Sequence, residues 1–174
     1  MPRMVSFNRV FLVDEAESVL VGFSPDAEWM DIFDGRIRSA SGAFERAMLR
    51  MDPVARIDGA TGTPQFRFGA SRRSEICKRL RAIDRRVSAL LEAPLTPRLV
   101  NTLLGISSQE RIRWTKDGRL PTHGGILSQR GSQSFTVQLF QFHEIVRLAR
   151  TPDTVREWRL QNNRDDADIG LKAG

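Results

Sequence analysis

Residues 95–148 read LTPRLVNTLLGISSQERIRWTKDGRLPTHGGILSQRGSQSFTVQLFQFHEIVRL. Thr96-Pro97 is an N-cap followed by proline at the first helical position, where its missing N–H costs nothing. Leu99, Val100, Leu103 and Leu104 share one face of the helix that follows, and Gly105 supplies the left-handed residue on which a helix commonly ends. Ile106 plugs the turn. Ser107 and Glu110 have the spacing of a capping box, so a second helix starts at once, over about 108–117, and Asp117-Gly118 closes it. A helix, a tight glycine turn and a freshly capped second helix are what a helix-turn-helix requires.

After Arg119-Leu120-Pro121, the runs Ile126–Gln129 and Phe135–Leu139 flank Arg130-Gly131-Ser132. Phe135, Val137 and Leu139 alternate with Thr136 and Gln138, which predicts a half-buried strand and a hairpin with a basic tip. In such an arrangement the first helix braces the second. The N-terminal residues of the second can then enter a major groove about 12 Å wide, and the hairpin tip meets the backbone or a minor groove. The polar candidates on the second helix are Ser108, Gln109, Arg113 and Lys116, with Arg130 at the hairpin tip.

These residues resemble the MerR/excisionase type of winged helix-turn-helix protein. The segment LLGISSQERIRW-TKDGRLP is similar to that family's "LLGVSxxTxxRWxxxGRLP" signature. SFTVQLFQFHEIVRLAR is similar to the segment closing the wing in MerR-like regulators and in the DNA-binding N-termini of plasmid-partition ATPases. The resemblance covers about residues 95–150, and its most specific pieces are Leu104–Ser107, Trp114 and Asp117–Pro121. It implies that Ser107, Ser108, Gln109 and Arg113 lie in the reading helix, and Arg111 of the same helix is a further candidate DNA contact. It also implies that Lys116 and Arg119 approach the DNA backbone and that Arg130 is the wing tip. The sequence departs from the pattern twice. Asn101 stands where a small residue is usual, and Arg111 stands where an apolar one is usual, with Ile112 one position late. Either Arg111 lies flat over the core edge with its head in water, or the second helix is rotated.

The chain has 174 residues and a net charge of +6, and the charge is unevenly spread. Residues 72–130 hold 13 Lys/Arg against 5 Asp/Glu, whereas 1–71 hold 8 against 10 and 131–174 hold 6 against 6. A basic block is the footprint of a phosphate-binding surface, or alternatively an Arg-rich solvated face. Within it, residues 71–91 form a helix whose Ile76, Leu80, Ile83, Val87 and Leu90 make a seam of about two heptads. One reading is a connecting or dimerising helix (71–92) whose outer side offers Arg79, Arg85 and Arg86 as phosphate contacts. The other is an amphipathic helix packed on its own domain.

Upstream, VSFNRVFLV (5–13) and SVLVGF (18–23) predict a hairpin, and QFRFG (65–69) one more strand. A helix starting at Ser24-Pro25-Asp26 carries the stripe Trp29, Phe33, Ile37, Ala40, Phe44, Ala47 and Met51, unbroken or split at Asp34-Gly35. The loop 58–64 lacks a phosphate-binding lysine motif. Residues 151–161 predict a short helix with Val155 and Trp158 inward, and 162–174 a loose tail.

The single cysteine, Cys77, excludes an internal disulfide and suits a reducing cytoplasm; it is read as structural. The two histidines, His123 and His143, lack partners at ligand spacing, and no catalytic constellation can be assembled. No apolar run reaches the roughly 18 residues of a membrane span, and the N-terminus lacks a signal-peptide cleavage site.

The expectation is therefore an α+β, mainly α, chain: an N-terminal partner-binding or oligomerisation region (1–70), a connecting helix, and a winged helix-turn-helix (95–161). It would be a non-enzymatic double-stranded DNA-binding protein without cofactor, a homodimer in a bacterial cytoplasm, associated with nucleoid or plasmid. It would act as a transcriptional regulator or as a phage or plasmid excision or partition factor. The alternative is an adaptor in a nucleoprotein complex that binds protein or RNA through the same fold.

Overall fold

The computed structural model describes residues 4–25, 32–59 and 62–172; for Arg130 and residues 163–172 the description covers the backbone. The chain is mixed α+β and divides into two compact units, Met1–Ala93 and Pro94–Gly174.

The first unit is one antiparallel sheet with helices on one face. Strands β1 (Met4–Ser6), β2 (Val10–Asp14), β3 (Ser18–Phe23), β4 (Ala55–Asp58) and β5 (Pro64–Gly69) lie in the order β1-β2-β3-β5-β4. The hairpin expected from 5–13 and 18–23 forms, in the register Leu12↔Val21, but its first run is cut at Phe7–Arg9, where Phe7 N–H bonds the Val10 carbonyl. Period-two alternation places Val10, Leu12, Val19, Val21, Phe66 and Phe68 on the inner face, all fully buried.

Against them lie α1 (Asp34–Leu49) and α2 (Arg73–Leu91). Helix α1 begins at the Asp34-Gly35 pair rather than running through it, and buries Ala40, Phe44 and Met48. The expected start at Asp26 and Glu28, with Trp29, lies outside the described residues, as do Ala60 and Thr61 of the following loop.

Helix α2 packs on its own domain. Ile76, Leu80, Val87 and Leu91 are buried in the same apolar cluster as the sheet, with Ile83 packed against it. The dimerising seam is therefore not available, and Leu90, counted in it, sits at the exposed border. The reason is sequence-distant. Asp84 accepts the backbone N–H groups of Arg9 (2.6 Å) and Val10 (3.2 Å), and Asn8 donates to Ser88 and Glu92, so the β1–β2 turn is bolted to the middle of the helix.

The second unit contains α3 (Pro97–Leu104), α4 (Ser108–Lys116), the hairpin β6 (Thr122–Arg130)/β7 (Gln133–Phe140), α5 (Phe142–Ala149) and α6 (Pro152–Lys172). Its centre is Leu95, Val100, Trp114, Leu120, Phe140, Ile145 and Val155, all buried. A backbone bridge between Leu95 and Phe140 (2.9 and 3.0 Å) joins the start of the unit to the end of the hairpin. Helix α6 corrects the expected loose tail. The helix continues to Lys172, and Asn162, placed by the sequence reading in that tail, is buried.

No helix among the described residues is long and apolar enough to cross a membrane.

Candidate nucleic-acid interface

Helix α4 is held at its start and from behind. At its N-terminus Ser107 Oγ accepts from the Glu110 backbone N–H (3.1 Å), and Ser107 N–H donates to Glu110 Oε2 (2.7 Å), a complete capping box. The turn before it depends on Gly105, whose φ of +60° is cheap only without a Cβ. Behind it Trp114 is fully buried and meets Trp158 of α6 edge-on, ring centroids 5.1 Å apart. Arg159, also on α6, donates through Nε to Glu110 Oε1 (2.7 Å) and through a terminal nitrogen to the Gly105 carbonyl (2.8 Å). One guanidinium thus grips both the end of α3 and the first turn of α4. Its hydrogen bond is the main reason the Glu110 carboxyl sits below its ordinary range, with burial opposing and the Ser107 cap adding to it.

With Trp114 and Glu110 turned inward, the opposite face presents Ser108, Gln109, Ile112, Arg113 and Lys116, all exposed. Ser107 is exposed as well, but its hydroxyl belongs to the cap. Ser108 Oγ accepts from Asn101 Nδ2 (3.1 Å).

Arg111 and Arg119 do not join this face. Arg111 is half-buried, its Nε donates to Asn101 Oδ1 (3.1 Å), and its guanidinium lies 6.0 Å from the Phe140 ring centroid. The helix is not rotated, since Trp114 keeps the inward position, and Arg111 takes the flat alternative. The two positions at which the sequence departs from the pattern it resembles are joined: Asn101 supplies the acceptor that Arg111 needs when half-buried. Arg119 is drawn to α6, donating to Asn162 Oδ1 (3.2 Å) with Asp117 3.5 Å away, so it is a brace between the end of α4 and α6.

The hairpin is longer than the sequence pattern indicates, and the half-buried strand holds only toward its base: Val137 and Leu139 are partly buried, Phe135 is exposed. Phe135 is 45% exposed, Ile126 51% and Leu127 73%; burial rises only toward Phe140 at the base. Alternation predicts a buried face only where another layer covers it. Here Ile126, Phe135 and Val137 share an outer face by register. The tip turns at Gly131 (φ +62°), next to Arg130, whose side chain lies outside the described residues. His123 lies in β6 and is exposed.

Arg79, Arg85 and Arg86 are exposed on α2 and so belong to the other unit, with Arg79 paired to Glu75 (3.2 Å). The basic block of the sequence is consequently divided between two units rather than forming one element.

The sequence analysis notes Asn101 and Ile112 only as departures from the pattern, and gives neither them nor Arg159 a place in the site. Ile112 was legible in principle, since it lies three residues from Gln109 and four from Lys116 on the side away from Trp114. Asn101 and Arg159 gave no local signal, because their partners are 10 and 49 residues away. Among the described residues no three His, Cys, Asp or Glu side chains gather as a metal site. Comparison of the chain with protein-family models, with curated proteins and with solved structures finds no match in any of the three.

Proposed function

We propose that the second unit is a winged helix-turn-helix that binds double-stranded DNA without catalysis, placing α4 in the major groove and the β6–β7 hairpin beside it as the wing. The observation that carries this reading is the outer face of α4. Gln109, Ile112, Arg113 and Lys116 stand exposed on a helix whose remaining sides are held by caps, by Trp114 and by Arg159. Gln109 and Arg113 have the donor geometry for adenine and guanine edges, Ile112 is an apolar contact for a thymine methyl, and Lys116 is a phosphate contact. Arg130 at the tip adds a cation to the backbone. The role that fits is a transcriptional regulator or an excision or partition factor of a phage or plasmid, acting as a homodimer on two half-sites in a bacterial cytoplasm.

The experiment is selection of duplexes from a random pool followed by anisotropy titration across a salt series. Steeply salt-dependent binding to a selected site is expected. Arg113→Ala or Gln109→Ala should weaken the selected site by about 1–3 kcal/mol, and random duplex much less. Equal weak binding to every duplex, unchanged in Arg113→Ala, overturns the proposal. It would favour a second reading, an adaptor that docks on protein or RNA. That reading draws on the exposed Ile126, Leu127 and Phe135, since a wing built for phosphate contact is ordinarily polar.

A further inference from the structure

The two edges of the five-stranded sheet are built differently. Edge strand β4 carries Arg56 and Asp58, which pair with each other (3.2 Å), and Arg56 also bonds Glu45 (2.9 Å). Charges of this kind within a strand keep other strands from adding to an edge. Edge strand β1 reads Met4-Val5-Ser6 and has no charge within it. Among the described residues no strand pairs with its outer side.

Its polar groups point outward in a defined way. Phe7 N–H bonds the Val10 carbonyl, and Val5 opposes Leu12 two residues further along. In an antiparallel ladder the hydrogen-bonded pairs alternate, so Val5 faces β2 and the backbone groups of Met4 and Ser6 face the open edge.

Beside that edge is a groove of about 530 Å³ between β1 and α2, floored by Val5, Phe7 and Cys77 and flanked by Ser74, Lys78 and Arg81. Arg73 at its end is tied to Asp14 (2.6 and 3.1 Å). Lys78, Arg81 and, continuing the same face by one helical turn, Arg85 are exposed and have no carboxylate partner among the described residues.

We propose that this edge and groove bind an acidic, extended segment of a partner protein, which adds to β1 as a sixth strand. Pairing with Met4 and Ser6 supplies main-chain hydrogen bonds about 4.8 Å beyond β1. The inward-facing alternate side chains of the added strand enter the groove: a small apolar one covers Val5, Phe7 and Cys77, and Asp or Glu at the remaining inward positions meet Lys78, Arg81 and Arg85. Charge complementarity selects an acidic peptide over a neutral one and sets its position along α2. The inference does not depend on the DNA-binding reading, because every residue in it belongs to the first unit.

The test uses the full chain and a fluorescein-labelled peptide, Thr-Val-Thr-Glu-Thr-Asp-Thr-Glu, whose Val, Glu, Asp and Glu share one strand face, by anisotropy. Saturable binding is expected, with amide chemical shifts of Met4 and Ser6 moving during the titration. Lys78→Glu/Arg81→Glu, two exposed positions that leave the core intact, should weaken it by roughly tenfold or more. Ser6→Pro, which deletes one outward N–H, should weaken it comparably while an oligoglutamate of equal charge binds the wild-type chain less well. No saturable binding overturns the proposal. So does equal binding of oligoglutamate with no effect of Ser6→Pro, which would make the stripe a nonspecific cation surface. Displacement of the peptide by a 20-base-pair duplex together with unmoved Met4 and Ser6 amides would assign the stripe to phosphates instead and also overturn it.

Discussion

Helices α2 and α4 share one feature as sequence: each is rich in Arg and Lys. The structure uses them in opposite ways. Helix α2 buries Ile76, Leu80, Val87 and Leu91 in the core of the first unit and turns its cations to solvent. Helix α4 buries Trp114 alone and is positioned by groups from α3 and α6. One helix is part of a core; the other is a presented rod. Cationic residues on a helix therefore do not by themselves mark a binding element. What distinguishes the two is how much of each helix its own unit covers.

The contrast can be broken most severely at Trp114. Trp114→Ala removes the one buried anchor of α4 and should destabilise the second unit by about 3–5 kcal/mol, whereas Ile112→Ala on the exposed face should stay within about 0.5 kcal/mol. Calorimetry of the two variants checks this, and equal losses would mean α4 is no presented rod.

A smaller effect is expected at the Asn101–Arg111 pair. Asn101→Ala leaves the half-buried Arg111 Nε without its acceptor and should cost about 1 kcal/mol in denaturant melts. Adding Arg111→Leu should recover most of that loss, a coupling that a double-mutant cycle reads directly.

The third effect is one of pH. Because Arg159 lowers the Glu110 carboxyl, that carboxylate contributes stability fully above its unfolded pKa, and the contribution is lost as pH falls through the depressed folded value. In Arg159→Ala the folded value rises toward the ordinary carboxylate range. Acid unfolding of the second unit should then begin at higher pH. A pH–Tm profile identical to wild type would remove Arg159 from the account of how α4 is held.

What was readable from the chain alone follows from how local each interaction is. The capping box at Ser107 and Glu110, the left-handed Gly105 and the proline start of α3 involve groups within four residues, so spacing was sufficient. The sheet strands β2, β3 and β5 were legible for the same reason, through alternation. Alternation over 135–139 does not carry through to burial at Phe135, because it states which residues share a face, not whether anything lies over it. The irregular tail was misread because low apolar content does not reveal that Asn162 has a partner in Arg119, 43 residues earlier.

The chain by itself determined where α3 and α4 start and stop, because caps, turns and periodicity act over one or two helical turns of covalently neighbouring atoms. Only the tertiary structure decided which faces those helices keep. Burial of α2 against the sheet, the joining of Asn101 to Arg111 and the grip of Arg159 on the α3–α4 turn all depend on groups far apart in sequence. Burial free energy and hydrogen-bond satisfaction depend on what surrounds a side chain, and that is set only when distant segments meet.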